Sequence, residues 1–544
     1  MKNPCFTLLL IFLAATATAQ VVDPQNVVIR NVYVAAPGAE DVTINLMIRD
    51  NKLELASKDE IPTPEGFVAL DAEGGHLIGN LKLGEKPSFI ILDGDPRKDF
   101  DVLLDTDTHA VFAVHAGELR KNNLLYASGT LDEPEEEPKP RGWLAYTPPP
   151  MAMPTGYGDE SKWNQWQTKN TTGIFLAAMV LDRQYWPSQN AASEQQVGNL
   201  ELYEGGEIRG FRLGAVGTLH YFDRPWVYTV FGATNAFDKG FEVDRQDDFT
   251  WFDYRLDIPF TDSMALSVGK QKEPISMERI MSMVQLPMQE RTSVSDAFLP
   301  SRNFGAVLSG TALNQRMSWA GGLFNNFIDS DHSLGGTATT AIGRVTWVPV
   351  VSEDESSLVH VGVGARLSNG KQGAWFLTEP EFNKSPIFVD TGSLDSDANR
   401  QFNLEASWRR GPYWLHAEYV GTEVDSPTNG ELNFSGYHVT GSWILSGEMR
   451  SYNHKSGIFG PVPVARSVYQ GGWGAWELAA RFSSIDLSDR LVDGGEMDIL
   501  SLGVSWWLSP IFNVNFNYRF IENDQGGLSG DAQGVMGRVL LILE

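Results

Sequence analysis

The sequence predicts an all-β protein: an antiparallel transmembrane β-barrel of about 16 strands, preceded by a small periplasmic β-sandwich-like domain. Three observations carry this. From about residue 170 onward apolar and polar residues alternate with period two, an exported-protein leader opens the chain, and the composition holds 53 Gly, 29 Phe, 16 Trp and 15 Tyr among 544 residues.

The leader comes first. Lys2 precedes an apolar run from Phe6 to Ala15, and Ala17-Thr18-Ala19 is the small-x-small pattern at which a signal peptidase cuts, so residues 1–19 are expected to leave before Gln20. Cys5, the one cysteine, goes with them. A mature chain without cysteine needs no disulfides and keeps no acylatable thiol, which suits a bacterial outer-membrane route.

Residues 20–126 differ in texture from the rest of the chain. Short apolar runs such as Val27-Val28-Ile29, Thr43-Ile44-Asn45-Leu46, Phe89-Ile90-Ile91-Leu92 and Val111-Phe112-Ala113-Val114 are separated by turn formers, including Asp93-Gly94-Asp95-Pro96, and predict a small β domain. Residues 127–165 carry Glu133 to Pro140 and Pro148-Pro149-Pro150; such a stretch builds no core and reads as a semi-extended linker.

Residues 166–544 hold the barrel. Phe512, Val514, Phe516, Tyr518 and Phe520 alternate with Asn513, Asn515, Asn517 and Arg519, and Phe402 to Trp408 alternate with Asn403 to Arg409 in the same way. A soluble sandwich also alternates, but so many strands would need several cores with linkers between them, and none is visible. In a membrane barrel the apolar face meets lipid and the polar face lines water, with aromatics at both interfaces; Trp408, Trp414, Trp443, Trp473, Trp476, Trp506 and Trp507 fit such girdles. About 375 residues at about 10 per strand plus connections gives an even count near 16.

Charge narrows the partners. With 42 Lys+Arg against 69 Asp+Glu the formal net charge is −27, which repels phosphate backbones and argues against nucleic acid. No uninterrupted apolar run of about 18 residues comes after the leader, so a helical membrane bundle is excluded.

Two segments carry a resemblance. Val268-Gly269-Lys270-Gln271-Lys272-Glu273-Pro274-Ile275-Ser276-Met277-Glu278, running on through Gln289-Glu290-Arg291 to Phe298-Leu299-Pro300-Ser301-Arg302-Asn303-Phe304-Gly305, resembles the constriction-loop region of the phosphate-selective porin family. Leu445-Ser446-Gly447-Glu448, Tyr452, Lys455-Ser456-Gly457 and Gly471-Gly472-Trp473-Gly474-Ala475-Trp476-Glu477-Leu478-Ala479-Ala480-Arg481 resemble the same family's C-terminal segment. The resemblance, over roughly residues 170–544, implies a homotrimer of 16-stranded barrels in outer-membrane lipid, each narrowed by an inward third loop and passing small hydrophilic solutes or anions such as phosphate by diffusion. It places Arg279, Ser282, Arg291 and Arg209 at the constriction as anion contacts, with Lys270, Lys272 and Arg302 as further lumen charges. Two departures stand out: Gly210 fills the second place of an arginine pair, and the first strand, Gly173 to Leu181, has no arginine. Fewer guanidinium forks weaken the hold on a dianion. Glu273, Glu278 and Glu290 are expected to pair with these bases and fix the loop.

Residues 26–121 resemble the small β-sandwich that flanks the catalytic barrel of the amidohydrolase superfamily, with Val68 to Ile78 like the strand that enters that barrel and Leu83 to Pro96 like the segment after its exit. Only Gly79-Asn80-Leu81-Lys82 lie between, and the chain has nine histidines but no His-x-His. Metal-activated hydrolysis needs a ligand set that His76, His109 and His115 do not supply. The domain therefore reads as a non-catalytic remnant: no enzyme, no catalytic residues, no metal and no cofactor are expected. If the usual topology holds it lies in the periplasm, where it has room for a partner. The alternatives are a barrel-anchored envelope tether or partner-binding protein and, behind it, a metal-dependent hydrolase.

Overall fold

The computed structural model describes residues 26–34, 42–64, 67–99, 101–104, 109–122, 124–126, 164–234, 249–330, 333–371 and 373–543. The expected leader, with Cys5, and all but the last two residues of the expected linker lie outside them. The chain divides into two compact units, Met1–Asp132 with Leu445–Gly447, and Glu133–Ile444 with Glu448–Glu544.

The N-terminal unit is one sheet built from β1 (Val27–Val34), β2 (Val42–Arg49), β3 (Lys52–Ser57), β4 (Val68–Asp71), β5 (His76–Asn80), β6 (Ser88–Leu92), β7 (Ala110–His115), β8 (Glu118–Asn122) and β9 (Leu125–Tyr126). Its order is β3-β2-β1-β5-β6-β7-β8, with β4 parallel to β1 and β9 on β4. The core is conventional. Ile29, Val32, Leu46, Leu53, Leu70, Ile91 and Phe112 are buried together, as apolar area leaving water requires. Where the amidohydrolase resemblance would insert a catalytic barrel, β5 and β6 form a direct antiparallel hairpin.

The second unit is a closed barrel. A short β10 (Gln165–Gln167) adds to its first strand. The sixteen strands of the wall are β11 (Thr171–Gln189), β12 (Gly205–Leu219), β13 (Trp226–Thr234), β14 (Phe249–Pro259), β15 (Met264–Gln271), β16 (Asn303–Ala312), β17 (Met317–Asn325), β18 (Thr339–Val351), β19 (Ser357–Ser368), β22 (Ala398–Arg410), β23 (Tyr413–Ser426), β24 (Gly430–Ile444), β27 (Ala475–Asp489), β28 (Val492–Ser509), β29 (Phe512–Gln525) and β30 (Leu528–Leu543). The intervening β20 (Leu377–Thr378) with β21 (Val389–Asp390), and β25 (Tyr452–Asn453) with β26 (Ile458–Phe459), are two-residue ribbons inside long connections. All neighbours in the wall are antiparallel, and β30 returns to β11 with Ala177 opposite Leu543, so no edge is left open.

Polarity is inverted relative to the first unit. On β22 Phe402, Leu404 and Trp408 are 47%, 52% and 40% exposed, whereas Asn403, Glu405 and Arg409 between them are 0%, 4% and 1%. Six of the largest fully buried side chains are arginines of this unit. A wall with apolar residues outside and charges inside is stable where the outer solvent is hydrocarbon. Outward Tyr413 and Trp443, and outward Trp476 and Trp506, stack across neighbouring strands with ring centroids 5.7 and 5.1 Å apart and form part of an aromatic girdle. Trp414 and Trp507 depart from the expectation. Strand parity turns both inward, at 4% and 3% exposure.

Antiparallel order sends alternate connections to opposite ends of the barrel. Connections 272–302 and 369–397 leave from one end, the upper end, and 445–474 leaves from the other. All three carry buried residues that pack against the inner wall.

Candidate functional site

The connection 272–302 crosses the lumen. It contains two short helices, Met277–Ile280 and Ser293–Phe298, capped by Ser276 and Thr292, whose hydroxyls accept from the amides of Arg279 and Ser295. Serine and threonine outside a helix start satisfy amides that would otherwise be buried without partners. The segment approaches the wall closely at two glycines: a Cβ on Gly364 of β19 would stand 2.1 Å from the Ile275 carbonyl oxygen, and one on Gly436 of β24 2.8 Å from Val294.

Charges then fasten it. Glu273 accepts from Arg366 of β19 and from Asn303, each at 2.7 Å. Glu290 accepts from Arg209 of β12 at 2.8 and 2.7 Å and also pairs with Arg538 of β30, which holds Asp182 of β11 at 2.6 Å. The amides of Met277 and Glu278 donate to Glu405 and Glu418 at 2.8 and 2.7 Å, and the Gln289 amide donates to Asn517 at 3.0 Å. Loop atoms thus touch strands on opposite sides of the barrel. Glu290 pairs with Arg209, one of the expected bases; the base beside Glu273 is instead Arg366 of the wall, and Glu278 accepts from Thr292 and Ser295 and stands 3.6 Å from Arg481.

Of the residues singled out from sequence, Arg279 donates to the carbonyls of Ser295 and Leu299 at 2.6 and 3.0 Å, and Arg291 donates to those of Glu278, Arg279 and Met281 at 3.3, 3.3 and 2.6 Å. Both are fully buried and knit the loop to itself. Arg209 is buried against Glu290, with Nη1 lacking a hydrogen-bond partner. Ser282 is half-buried and opens a 3-10 turn without a side-chain cap bond. Lys272 donates to the carbonyls of Ile280 and Met281, while Arg302 bonds Asp253 at 3.1 Å and lies over the Phe252 ring; both face inward. Lys270 does not. Parity along β15 puts Ser267 and Gln271 on the inner face and Lys270 on the outer, opposite Tyr254 and Phe304.

Much of the inner wall has no counterpart in the loop resemblance. Arg344 bonds Glu405, Arg481 bonds Glu381, Arg450 bonds Glu477 at 2.6 Å, and His416, Glu418 and His438 cluster on β23 and β24. Their signal in the sequence is the polar half of each alternating strand. Among the described residues the buried charged side chains, all in this unit, are thirteen Arg or Lys and twelve Asp or Glu. The fully buried charges are therefore close to balance, and the −27 of the chain lies on residues that are less buried.

Known proteins align with this architecture. A protein of Caulobacter vibrioides, described as uncharacterized, is 25% identical over 338 residues, which cover 58% of this chain and 63% of that one, so the chain spans less than two thirds of that relative. Among solved structures, OmpT, an outer membrane protein of Vibrio cholerae, aligns at 11% identity and TM-score 0.43 over 70% of this chain and 99% of its own. The anion-selective porin from Comamonas acidovorans aligns at 13% and 0.43 over 69% and 100%. The family model described as phosphate-selective porin O and P matches residues 189–529, from the end of the first barrel strand into the last, and the chain belongs to that family.

Proposed function

We propose that the chain is an outer-membrane porin whose lumen passes small hydrophilic solutes by diffusion, with a modest preference for small anions such as phosphate. The observation that carries this is the inverted wall, apolar outside and ionic inside, closed around an inward loop. Family membership supports it. The anion preference rests on the guanidinium groups that the inner wall and inward loop carry, Arg209, Arg279, Arg291, Arg302 and Arg519 among them. The field at a constriction depends on its nearest charges more than on the chain's sum. In this reading half-buried Ser282 meets the solute, Arg209, Arg279 and Arg291 hold the loop in place, and Lys272 and Arg302 set the potential around it. The working form is a homotrimer with the N-terminal unit in the periplasm, free to engage a partner there, and no step of the function is enzymatic.

A second reading has one observation behind it. Phe298, Phe376, Phe382 and Phe388 from the two upper connections pack with Val420, Leu432, Ile499 and Ile521 of the wall into an apolar core inside the barrel, as a plugged anchor for an envelope tether would have. Planar bilayers separate the two. Purified full-length chain across a KCl gradient is expected to show stepwise conductance with a reversal potential displaced toward that of chloride. Displacement toward potassium would sink the anion preference, and absence of steps would leave the anchor.

A further inference from the structure

His416 and Glu418 lie two apart on the inner face of β23, and His438 stands on β24 directly opposite Glu418 in register. One ligand atom from each lies within 4.8 Å of the others, and all three side chains are buried. Two features of this cluster bear on what it could hold. His438 is 1% exposed, yet neither ring nitrogen has a hydrogen-bond partner, a costly state for a group buried away from water. Glu418, 3% exposed, has no arginine or lysine ion pair among the described residues; its partners are the Ser276 hydroxyl at 2.6 Å, the Glu278 amide and His416 Nε2 at 3.0 Å. Other buried carboxylates of this interior, such as Glu405 and Glu477, have a guanidinium.

We propose that His416, Glu418 and His438 bind a divalent transition-metal ion of the zinc class, with Glu278 of the inward loop as fourth ligand, so that the ion clamps the loop to the wall. Two imidazoles and carboxylate oxygens form a donor set that zinc takes in tetrahedral geometry. Ligand atoms about 2.0 Å from the ion stand roughly 3.3 Å apart in a tetrahedron, so the three atoms, within 4.8 Å of one another, draw in by at most about 1.5 Å. Glu278 Oε2 is already 3.9 Å from His438 Nε2. Positioning groups are present as well: Ser407 Oγ stands 2.6 Å from His416 Nδ1, leaving Nε2 for the ion, and Ser276 fixes Glu418. The ion would give the buried carboxylates the countercharge that Arg481, shared with Glu381, does not complete. This site is independent of which solute the channel passes.

The test uses the full-length chain, refolded into detergent with Zn2+ and then desalted. Elemental analysis is expected to find one zinc per chain, and Co2+ in its place is expected to give the intense visible bands of a tetrahedral site. His438→Gln and His416→Gln should each weaken zinc binding by more than about 100-fold, and Ser407→Ala by about 10- to 100-fold. His220→Gln, in the turn after β12, should keep the zinc. Because the wild-type measurements need no variant to fold, zinc at background in wild type, or a Co2+ spectrum of the hydrated ion, overturns the proposal.

Discussion

Along β27 to β30 the same strands obey two opposite rules at two heights. In the middle of β29 Phe516 and Phe520 point out, and Asn517 and Arg519 point in. One step higher Ile521 points in, and Glu522 and Asp524 point out. On β28 outward Leu500 and Leu502 give way above to Asp498 and Glu496, while inward Ser501 and Ser505 give way to Ile499 and Met497. Just below the switch the outer solvent is hydrocarbon and the interior is ionic, with an apolar cluster around Trp507 and Leu540 lower still; above it the outer solvent is water and the interior is the apolar core with the loop phenylalanines. The fold is one ladder throughout. Which residues stabilise it is decided by what surrounds each height.

The largest effect is expected where the ionic interior loses one partner. Among the described residues Glu290 is the only carboxylate that Arg209 bonds, whereas Arg538 also keeps Asp182. Glu290→Gln leaves a buried guanidinium without an ion pair and should cost about 3–5 kcal/mol, read by chemical unfolding from lipid vesicles. A loss under about 1 kcal/mol would mean that water reaches Arg209 and that the middle zone is wetter than its burial implies. Next comes the outer face. Phe516→Arg places a cation against hydrocarbon and should cost about 2–4 kcal/mol, whereas Glu522→Arg on the same face of the same strand should stay within about 0.5 kcal/mol. Equal costs at the two positions would erase the boundary between Phe520 and Glu522.

Period two makes the wall readable from sequence, because alternation depends only on the strand's own pleat. The two faces of Phe402–Trp408 and Phe512–Phe520 come from it, and the strand count from the length of chain that alternates. Height does not, since alternation says which residues share a face and not where that face changes solvent. Hence the inner core at Ile499 and Ile521 has no signal separate from ordinary strand residues, while Trp414 and Trp507, read as interface aromatics by residue type, sit inside by parity. Lys270 shows the parity problem at its smallest: one residue decides inner or outer face. The loop arginines are recognisable by type and place. Their partners are not, because Arg291 spends its donors on backbone carbonyls of residues 278, 279 and 281, and a carbonyl carries no residue identity. His416 and Glu418 are visible as an i, i+2 pair, but His438 joins them only through the pairing of β23 with β24.

The smallest expected effect lies on the upper outer face, and its sign sets it apart from the others. Asp498, Glu522 and Asp531 stand directly opposite one another across β28, β29 and β30, three acids in a row with the same face and no base between them. Like charges opposite each other in a sheet destabilise it by a few tenths of a kcal/mol per pair, reduced by salt because the row is solvated. Glu522→Gln removes the middle charge and both repulsions. It should therefore stabilise the barrel, by up to about 0.5 kcal/mol in low salt, with the gain fading as KCl is raised through the range in which the Debye length falls below the strand spacing. The same substitution logic applied below the switch, at Glu290, has the opposite sign because there the carboxylate faces guanidinium groups and no water. If Glu522→Gln instead destabilises the protein, and the loss persists in high salt, the row is held by something other than repulsion and the upper outer face is not the free aqueous surface that its exposure indicates.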